Sequence, residues 1–296
     1  MAREQFKDHR FQAKSEQMIA VCNSIVDRYQ AQGLRLTLRQ LYYQLVVINA
    51  VPNTDRAYDN LGALVSDARL AGRIDWDAIE DRIRMPRTPL EFLDPQHRLE
   101  AAIANYRLDR WAGQEYYVEL WVEKDALAGV LQPIASAHHI TLMVNRGYSS
   151  QTAMHDAYER FGDASGEGKG SVLLYLGDHD PSGEDMVRDI NDRLNYLFGG
   201  SVRVEKLAIT PLQVARYNPP ANPAKMTDSR AAAFVERYGS SSYEVDALPP
   251  DVLTEIINAA VLNYVDDAAL QEVLAQERRD KDLLREAGRD IMKKRS

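Results

Sequence analysis

The sequence predicts an α/β protein: an N-terminal helical domain, then a parallel-sheet domain, then a mostly helical C-terminal extension. Two observations predict this class. From Tyr116 onward, short apolar runs alternate with helical patterns, as in a parallel sheet with crossover helices. Before that point, apolar residues recur with a helical period. We expect domain boundaries at 1–92, 93–115, 116–210 and 211–296.

Composition narrows the class of protein further. With 296 residues and 45% hydrophobic content, the chain can bury a sizeable core. It has no apolar run of membrane-spanning length and no signal-peptide core at its start, so we expect a cytoplasmic protein without a membrane partner. The net charge is −8, but the acid excess falls after residue 115, and the earlier part is balanced and rich in arginine. If nucleic acid binds, these arginines are the expected contacts.

Three short helices are predicted in the N-terminal domain. The first covers about 11–32 and stops at Gly33, and the third covers about 55–71. The second, about 38–49, follows Thr37 and Gln40, which have the spacing of a capping box. Segments 73–76 and 81–84 are expected to form a small β-wing or an extended loop, which completes a winged helix-turn-helix pattern with Arg69 and Arg73 near DNA. A generic helical subdomain is the alternative.

The rest of the chain continues in the predicted order. A helix at about 95–112 begins after the N-cap Asp94. Strands are expected at 116–123, 140–144, 171–177 and 202–209, with helices at about 125–137, 149–161 and 183–198. The Gly-rich segment 162–170 is expected to be a mobile surface loop, because a phosphate-binding loop would run from strand to helix instead. A short strand at 243–245 and helices at about 250–264 and 268–294 complete the prediction.

Two of the predicted strands end in acids. Glu123 follows the first strand, and Asp178 and Asp180 follow the third. Carboxylates gathered at the carboxyl ends of parallel strands repel one another unless they are protonated or hold a cation, and they are the ligands that Mg²⁺ or Mn²⁺ prefers. The sequence therefore predicts a divalent-metal site for phosphate chemistry. Helix capping explains Asp180 without a metal, and in that interpretation His179 is exposed.

A second candidate lies on the predicted helix at 38–49. Tyr42 falls on the apolar stripe of that helix, and Tyr43 lies on another face, one turn after Arg39. An arginine at this spacing could hold a phosphate beside the phenol and favour phenolate, a better nucleophile than phenol. The alternative is simple packing, since the chain contains 15 tyrosines.

Taken together, the two motifs resemble a known family. A helix carrying Arg39-x-x-Tyr42-Tyr43, a strand ending Val122-Glu123-Lys124, and a strand followed by Asp178-x-Asp180-Pro181-x-Gly183 resemble the A subunit of type IIB DNA topoisomerases (topoisomerase VI). They also resemble its relatives, the meiotic double-strand-break transesterase and the stand-alone mini-A proteins. The resemblance covers about residues 35–210, with a weaker match at Tyr243–Leu248. It implies a winged-helix domain followed by a Toprim domain.

The resemblance also implies roles for residues. Tyr43 would attack DNA and form a 5′-phosphotyrosyl link, although Tyr42 stays open as the nucleophile. Arg39 would orient the phosphate, and Glu123, Asp178 and Asp180 would hold Mg²⁺ (or Mn²⁺). The expected DNA contacts are Arg39, Arg69, Arg73 and Lys124.

The implied assembly is a homodimer on double-stranded DNA, in which the tyrosine of one protomer works with the metal of its partner. Nothing in the chain resembles an ATPase, so strand passage would need a separate ATPase subunit. The family's Gly-Tyr-Pro turn reads Gly147-Tyr148-Ser149 here. Two other functions stay open: a Toprim nuclease that hydrolyses DNA or RNA with water, and a non-catalytic winged-helix DNA-binding protein.

Overall fold

The N-terminal helices form a unit with its own apolar core in the computed structural model, which describes residues 3–79, 89–224 and 227–293. They are α1 (Ala13–Gln30), α2 (Leu38–Val47) and α3 (Asp55–Leu70). The predicted capping box opens α2: the Gln40 amide donates to the Thr37 hydroxyl at 3.2 Å, and the Thr37 amide donates to Gln40 Oε1 at 2.9 Å. The interior includes Ile19, Cys22, Val26, Leu41, Leu45, Leu61 and Val65.

The predicted β-wing is not formed at its first segment. Residues 73–76 form bends and turns, and the backbone there is held by Arg69, whose guanidinium donates to the carbonyls of Trp76 at 2.7 Å and Ile79 at 3.3 Å. The second segment, 81–84, lies outside the described residues. An isolated bridge joins Leu36 to Ile79.

Helix α4 (Pro95–Asn105) begins as predicted but ends seven residues before 112. Asp94 caps it, accepting from the His97 amide at 2.7 Å. The helix stops where the residues that follow it bond to the final helix, α11 (Asp267–Lys293). The Leu108 amide donates to Glu277 at 3.2 Å, and the Tyr106 hydroxyl donates to Asp280 at 2.9 Å.

A four-stranded parallel sheet confirms the α/β class. The strands are β1 (Tyr116–Val122), β2 (Thr141–Val144), β3 (Gly170–Leu176) and β4 (Val202–Ala208), in the order β2-β1-β3-β4. Val122 of β1 lies opposite Leu176 of β3, so the two central strands end at the same level. No helix in the described ranges is long and apolar enough to cross a membrane.

Helices cover both faces of the sheet. On one face lie α5 (Ala128–His138), which follows a 3₁₀ turn at Asp125–Leu127, and α10 (Pro250–Leu262). On the other lie α6 (Gln151–Gly166) and α7 (Pro181–Asn191), the latter extended by a π-helical turn at Asp192–Leu197. Since the chain leaves β1 toward one side and β3 toward the other, a crevice opens between their carboxyl ends, where α/β sheets place their ligand sites.

The prediction of a mobile loop at 162–170 is wrong for most of that segment. Helix α6 continues through Gly166, and only residues 167–169 connect it to β3. The buried residues of α6 explain this: Met154, Ala157, Phe161 and Ala164 follow one helical stripe, and Ala164 extends it past Gly162.

The C-terminal extension returns to the crevice before it forms α10 and α11. It contains α8 (Pro211–Tyr217), β5 (Asn222–Pro223), α9 (Ala231–Tyr238) and β6 (Ser241–Ser242), with β5 and β6 antiparallel. The strand predicted at 243–245 lies two residues earlier, and Tyr243 instead forms an isolated bridge with His179. A 3₁₀ turn follows at Val245–Ala247. Val245 and Leu248 join the sheet core, whereas Ala247 joins the core of the helical unit.

A buried ion pair stabilises the centre of the sheet. The fully buried Glu119 carboxylate accepts from Arg160 Nε at 2.7 Å and Nη2 at 2.9 Å, and also from Tyr117 and Trp121. We expect Arg160→Met to lower the free energy of unfolding by about 3–5 kcal/mol, because it leaves a buried carboxylate without its cation. Urea denaturation measures this. Arg188→Met, which removes an exposed arginine paired on α7, is the control, and equal losses in the two variants would contradict the expectation.

Candidate functional site

Two of the predicted acids meet at the crevice between β1 and β3. The Glu123 amide donates to the Leu176 carbonyl at 2.9 Å, which continues the pairing of the strands. The Glu123 carboxylate then accepts from the Asp178 amide at 3.0 Å. The matched register of the two strands therefore brings Glu123 against the start of the Asp178–Asp180 loop.

The two aspartates of that loop are held differently. Asp178 is buried, and its carboxylate accepts from the Val245 amide and lies 2.9 Å from Lys124 Nζ. Asp180 is the N-cap of α7, and it accepts from the Gly183 amide at 2.6 Å and the Ser182 hydroxyl at 2.9 Å. Capping therefore accounts for one oxygen of Asp180, and both aspartates line the cavity described below.

Residue 179 lies between these acids but is not exposed as predicted. His179 is 4% exposed, and its ring packs against the rings of both Phe234 and Tyr238. Nδ1 is 2.7 Å from Glu184, which also accepts from Lys206. The backbone of His179 exchanges two hydrogen bonds with Tyr243. These contacts fix the loop that carries both aspartates.

Gly183 is required at its position by close backbone packing. A Cβ there would collide with the carbonyl oxygen of Asp178. We expect Gly183→Ala to displace this loop, lowering the free energy of unfolding by about 1–3 kcal/mol and weakening Mn²⁺ binding. Thermal unfolding and Mn²⁺ titration measure the two effects. Gly162→Ala is the matched control, because a Cβ at that helical glycine meets no neighbour. Unchanged Mn²⁺ affinity in Gly183→Ala would contradict the expectation.

Two acids that the sequence analysis did not select complete the cluster. Lys124 Nζ lies 2.8 Å from Glu244 and 3.1 Å from Asp246. The Arg39 guanidinium bonds Glu244, and its Nε lies 2.9 Å from Asp246. The sequence signal was present, since Glu244 and Asp246 are acids spaced by one residue within Tyr243–Leu248 and repeat the spacing of Asp178 and Asp180.

Negative charge exceeds positive charge in this cluster. Five carboxylates, those of Glu123, Asp178, Asp180, Glu244 and Asp246, accompany two cations, those of Arg39 and Lys124. Burial raises the pKa of Glu123, and it raises the pKa of Asp178 to about 7, an effect that Lys124 only partly offsets. In contrast, Lys124 and Arg39 hold the pKa of Glu244 at about 2 against the effect of burial.

The donor chemistry of the cluster fits a hard divalent cation. Carboxylate oxygens suit Mg²⁺ or Mn²⁺, and a cation would relieve the repulsion that burial imposes on Glu123 and Asp178. In this structure one carboxylate oxygen of Asp178 is paired with Lys124, and one oxygen of Asp180 accepts the hydrogen bond that caps α7. Within residues 3–79, 89–224 and 227–293, one group of three acids and histidines has ligand atoms that all lie within 4.8 Å of one another. It consists of His155, Asp156 and Glu159, which are exposed on α6.

Helix α2 presents both tyrosines to the same region. Arg39 Nη2 donates to the Tyr43 hydroxyl at 3.2 Å, as the i,i+4 spacing predicted. Tyr42 is 4% exposed and Tyr43 is 3% exposed. The Tyr42 hydroxyl is engaged by the loop after α2, accepting from the Thr54 amide at 2.7 Å and lying 3.1 Å from the Pro52 carbonyl.

The expected effect of Arg39 on Tyr43 is outweighed. Burial raises the pKa of Tyr43 well above its ordinary value, and Asp246 and Glu244 raise it further, while Arg39 lowers it by less. Arg39 therefore acts on the pKa of Tyr43 in the expected direction, but its effect is smaller than the combined effect of burial and the two acids. The reason is that the Arg39 guanidinium is already paired with the same two acids.

The remaining DNA-contact candidates are bonded within the protein. Arg69 is bonded to the backbone of Trp76 and Ile79, and its guanidinium stacks 4.6 Å from the Trp76 ring. Arg73 is exposed and forms a two-pronged pair with Glu16 of α1, at 2.7 and 2.6 Å. Because Arg73 is exposed, its guanidinium can leave Glu16 and bind a phosphate at the surface, whereas Arg69 is held by the backbone.

One cavity joins the tyrosine helix to the acid edge. Its volume is about 420 Å³, and it opens between the helical unit, the Asp178–Asp180 loop and the paired strands β5 and β6. The residues that carry chemistry along its wall are Arg39, Tyr42, Tyr43, Asp178, Asp180 and Glu244. Fold and site together define an α/β protein with an acid-lined cavity at the carboxyl ends of a parallel sheet, capped by a helix that carries two tyrosines.

No protein-family model matches the chain, and no curated protein matches it. Its function is therefore inferred from the residues of this site.

Proposed function

We propose that the chain is a DNA-cleaving transesterase of the topoisomerase VI A-subunit type. The observation that carries this proposal is the shared cavity, in which Tyr43 and Arg39 face the same space as Asp178 and Asp180. A tyrosine alone or an acid cluster alone has structural explanations. Tyr43 and Asp178 lie in different structural units, and their presence in one cleft supports phosphoryl transfer to a tyrosine, whether the two halves act within one chain or between the chains of a dimer.

In this proposal the helical part, residues 1–92, is a winged-helix DNA-binding domain, and residues 116–210 are a Toprim domain. Segment 93–115 links them, and residues 211–296 are the C-terminal extension. The four parallel strands, with acids after β1 and β3, support the second assignment. The capped helix α2, which carries Arg39 and Tyr43, supports the first.

Glu123, Asp178 and Asp180 would hold Mg²⁺ or Mn²⁺, which stabilises negative charge on the phosphate and the leaving oxygen. Lys124, which pairs with Asp178, Glu244 and Asp246, would supply positive charge beside a bound DNA phosphate. Additional positive charge in the cleft would also lower the pKa of Tyr43, which the neighbouring acids now raise.

The reaction exchanges one phosphodiester for another. Tyr43 Oη attacks phosphorus and gives up its proton, and the new bond links the phenol to the 5′ phosphate. The bond from phosphorus to the 3′ oxygen breaks, and that oxygen leaves as a hydroxyl after it takes a proton from solvent. Arg39 orients the scissile phosphate. Strand passage would need a separate ATPase subunit.

We further propose a homodimer in which Tyr43 works with the acids of the partner. Within one chain, the ion pairs from Arg39 to Glu244 and from Glu244 to Lys124 lie along the polar path from Tyr43 to Asp178. A phosphate would have to displace these pairs to contact both groups of the same chain. The two-chain arrangement is the one that the family resemblance implies.

Mixing two inactive variants tests this arrangement. We expect Tyr43→Phe and Glu123→Ala chains to regain strand nicking when mixed and refolded together, because each heterodimer contains one intact composite site. Plasmid nicking on an agarose gel measures the recovery, and wild type mixed with the double variant is the control for dimer exchange. No recovery despite proven exchange would mean that each chain uses its own acids.

A Toprim nuclease is the second candidate function, and the burial of Tyr43 favours it. In that case water attacks the phosphodiester, and Tyr43 serves only to pack against Arg39. The non-catalytic alternative, a winged-helix DNA-binding protein, predicts no metal-dependent cleavage.

Supercoiled plasmid incubated with Mg²⁺ or Mn²⁺ separates these functions. The transesterase yields nicked or linear DNA with protein attached after denaturation, whereas the nuclease yields the same DNA without attached protein. Plasmid that remains supercoiled with both metals would overturn the proposed activity.

A further inference from the structure

One short segment of the C-terminal extension contacts both halves of the proposed site. Residues Glu244–Asp246 form ion pairs with Arg39 on the tyrosine helix and with Lys124 beside Glu123. The amide between these two acids, that of Val245, donates to Asp178 at 2.9 Å. The segment therefore touches the nucleophile helix and both acid-bearing loops at once.

Asp246 is the centre of these contacts. Its side chain is fully buried, and it lies 2.9 Å from Arg39 Nε and 3.1 Å from Lys124 Nζ. A buried carboxylate between two cations is strongly destabilised if either cation moves away, so it fixes the distance between them. Arg39 belongs to α2 and Lys124 follows β1, so the distance that is fixed runs between the helical unit and the sheet.

Additional hydrogen bonds hold the same junction. Asn53, in the loop after α2, donates to Asn222 Oδ1 at 2.8 Å, and Asn222 donates to Glu244 at 3.3 Å. On the sheet side, Tyr243 pairs with the backbone of His179, between the two aspartates. Residues 222 and 243–246 therefore form a polar joint with contacts on both sides.

We propose that Asp246, assisted by Glu244, is a positioning residue that sets the offset between Tyr43 and the metal-binding acids. This rests on the proposed function, in which two such chains form two composite sites. Because each chain supplies a tyrosine half and an acid half, the offset within a chain sets the separation of the two cuts. A fixed joint gives one distance between the two cuts and therefore one overhang length, whereas a loosened joint gives several overhang lengths.

The first test measures the joint without any activity. Paired spin labels are placed at Ile48→Cys, exposed at the end of α2, and Glu159→Cys, exposed on α6; Cys22 is fully buried and stays unlabelled. Labelled chains are diluted with unlabelled chains so that distances within one chain dominate. We expect one narrow distance distribution in the parent and a broadened one in Asp246→Asn. An equally narrow distribution in Asp246→Asn would overturn the proposal.

The second test measures cleavage. We expect Asp246→Asn to lower kcat for adduct formation by roughly 10- to 100-fold, the usual effect of a misplacement near 1 Å, with KM for DNA nearly unchanged. Sequencing of the cleaved ends should show one overhang length for wild type and several for the variant. A pure rise in KM, or a single unchanged overhang, would count against positioning.

Controls separate the joint from general stability. Glu244→Gln, at a partly exposed acid, gives a milder form of the same effects if Asp246→Asn folds poorly. Asp192→Asn removes an exposed acid paired with Arg188 and should change neither measurement. If wild type forms no covalent adduct, the proposed function is wrong. The spin-label distances still show whether Asp246 fixes the position of the helical unit relative to the sheet.

Discussion

Tyr43→Phe is expected to abolish the covalent protein–DNA adduct while the fold is kept. The variant keeps the buried ring but has no oxygen to attack phosphorus, so the rate of adduct formation should fall by roughly 10⁴-fold or more. Its structural cost is the hydrogen bond from Arg39 at 3.2 Å, worth about 1 kcal/mol. Denaturing gels of end-labelled DNA measure the adduct.

Tyr42→Phe is the matched control for this experiment. It removes a hydroxyl that accepts from the Thr54 amide and contacts Pro52 and Asn53, so it should be the less stable variant of the two. It should nevertheless form the adduct. The reverse pattern, with the adduct lost only in Tyr42→Phe, would identify Tyr42 as the nucleophile. Undiminished cleavage without an adduct in Tyr43→Phe would identify a nuclease.

Asp178→Asn is expected to act in opposite directions on activity and on stability. Cleavage with Mn²⁺ should fall by about 10³-fold or more, because a central carboxylate ligand is lost. The metal-free protein, however, should be more stable than wild type at pH 8, by about 1–3 kcal/mol, because burial raises the pKa of Asp178 to about 7. Lys124 keeps Glu244 and Asp246 as partners in the variant.

The sign of the pH dependence follows from the raised pKa. Between about pH 4 and pH 7, folded Asp178 holds a proton that the unfolded chain has released, so stability falls as pH rises through this range. The advantage of the variant should therefore vanish near pH 4. Mn²⁺ affinity of wild type should change the other way and tighten from pH 6 to pH 8, since the metal competes with the proton. Urea denaturation and Mn²⁺ titration across pH measure the two trends; a pH-independent stability difference would contradict the first.

Much of this architecture could be predicted from local patterns. The boundaries of β1 and β3 lie within one residue of the prediction, because buried parallel strands are continuous apolar runs with abrupt polar ends. The capping box before α2 was also readable, since Thr37 and Gln40 interact over three residues. Glu123 and Asp178 could be paired because parallel strands end at a common edge.

The contacts made over long separations could not be predicted. Glu244 and Asp246 lie about two hundred residues from Arg39 in the sequence. A local hydrophobic pattern therefore cannot show that they form ion pairs with it. The pKa of Tyr43 depends on these same acids and on burial, so the sequence predicted the neighbour Arg39 and the direction of its effect, but not the raised pKa. Helix α4 ended early for a similar reason, because the Leu108 amide, which a longer helix would use, donates to Glu277 of the last helix.

The 245–248 segment also has a consequence for the order in which the protein matures. Ala247 fills the core of the helical unit, and Val245 and Leu248 fill the core of the sheet. During synthesis the first three helices emerge long before residue 247, so their core stays incomplete until that residue has been added. The two cores then close together around one short turn. A nascent chain therefore acquires the joint between the helical unit and the sheet only after residue 248 has been synthesised.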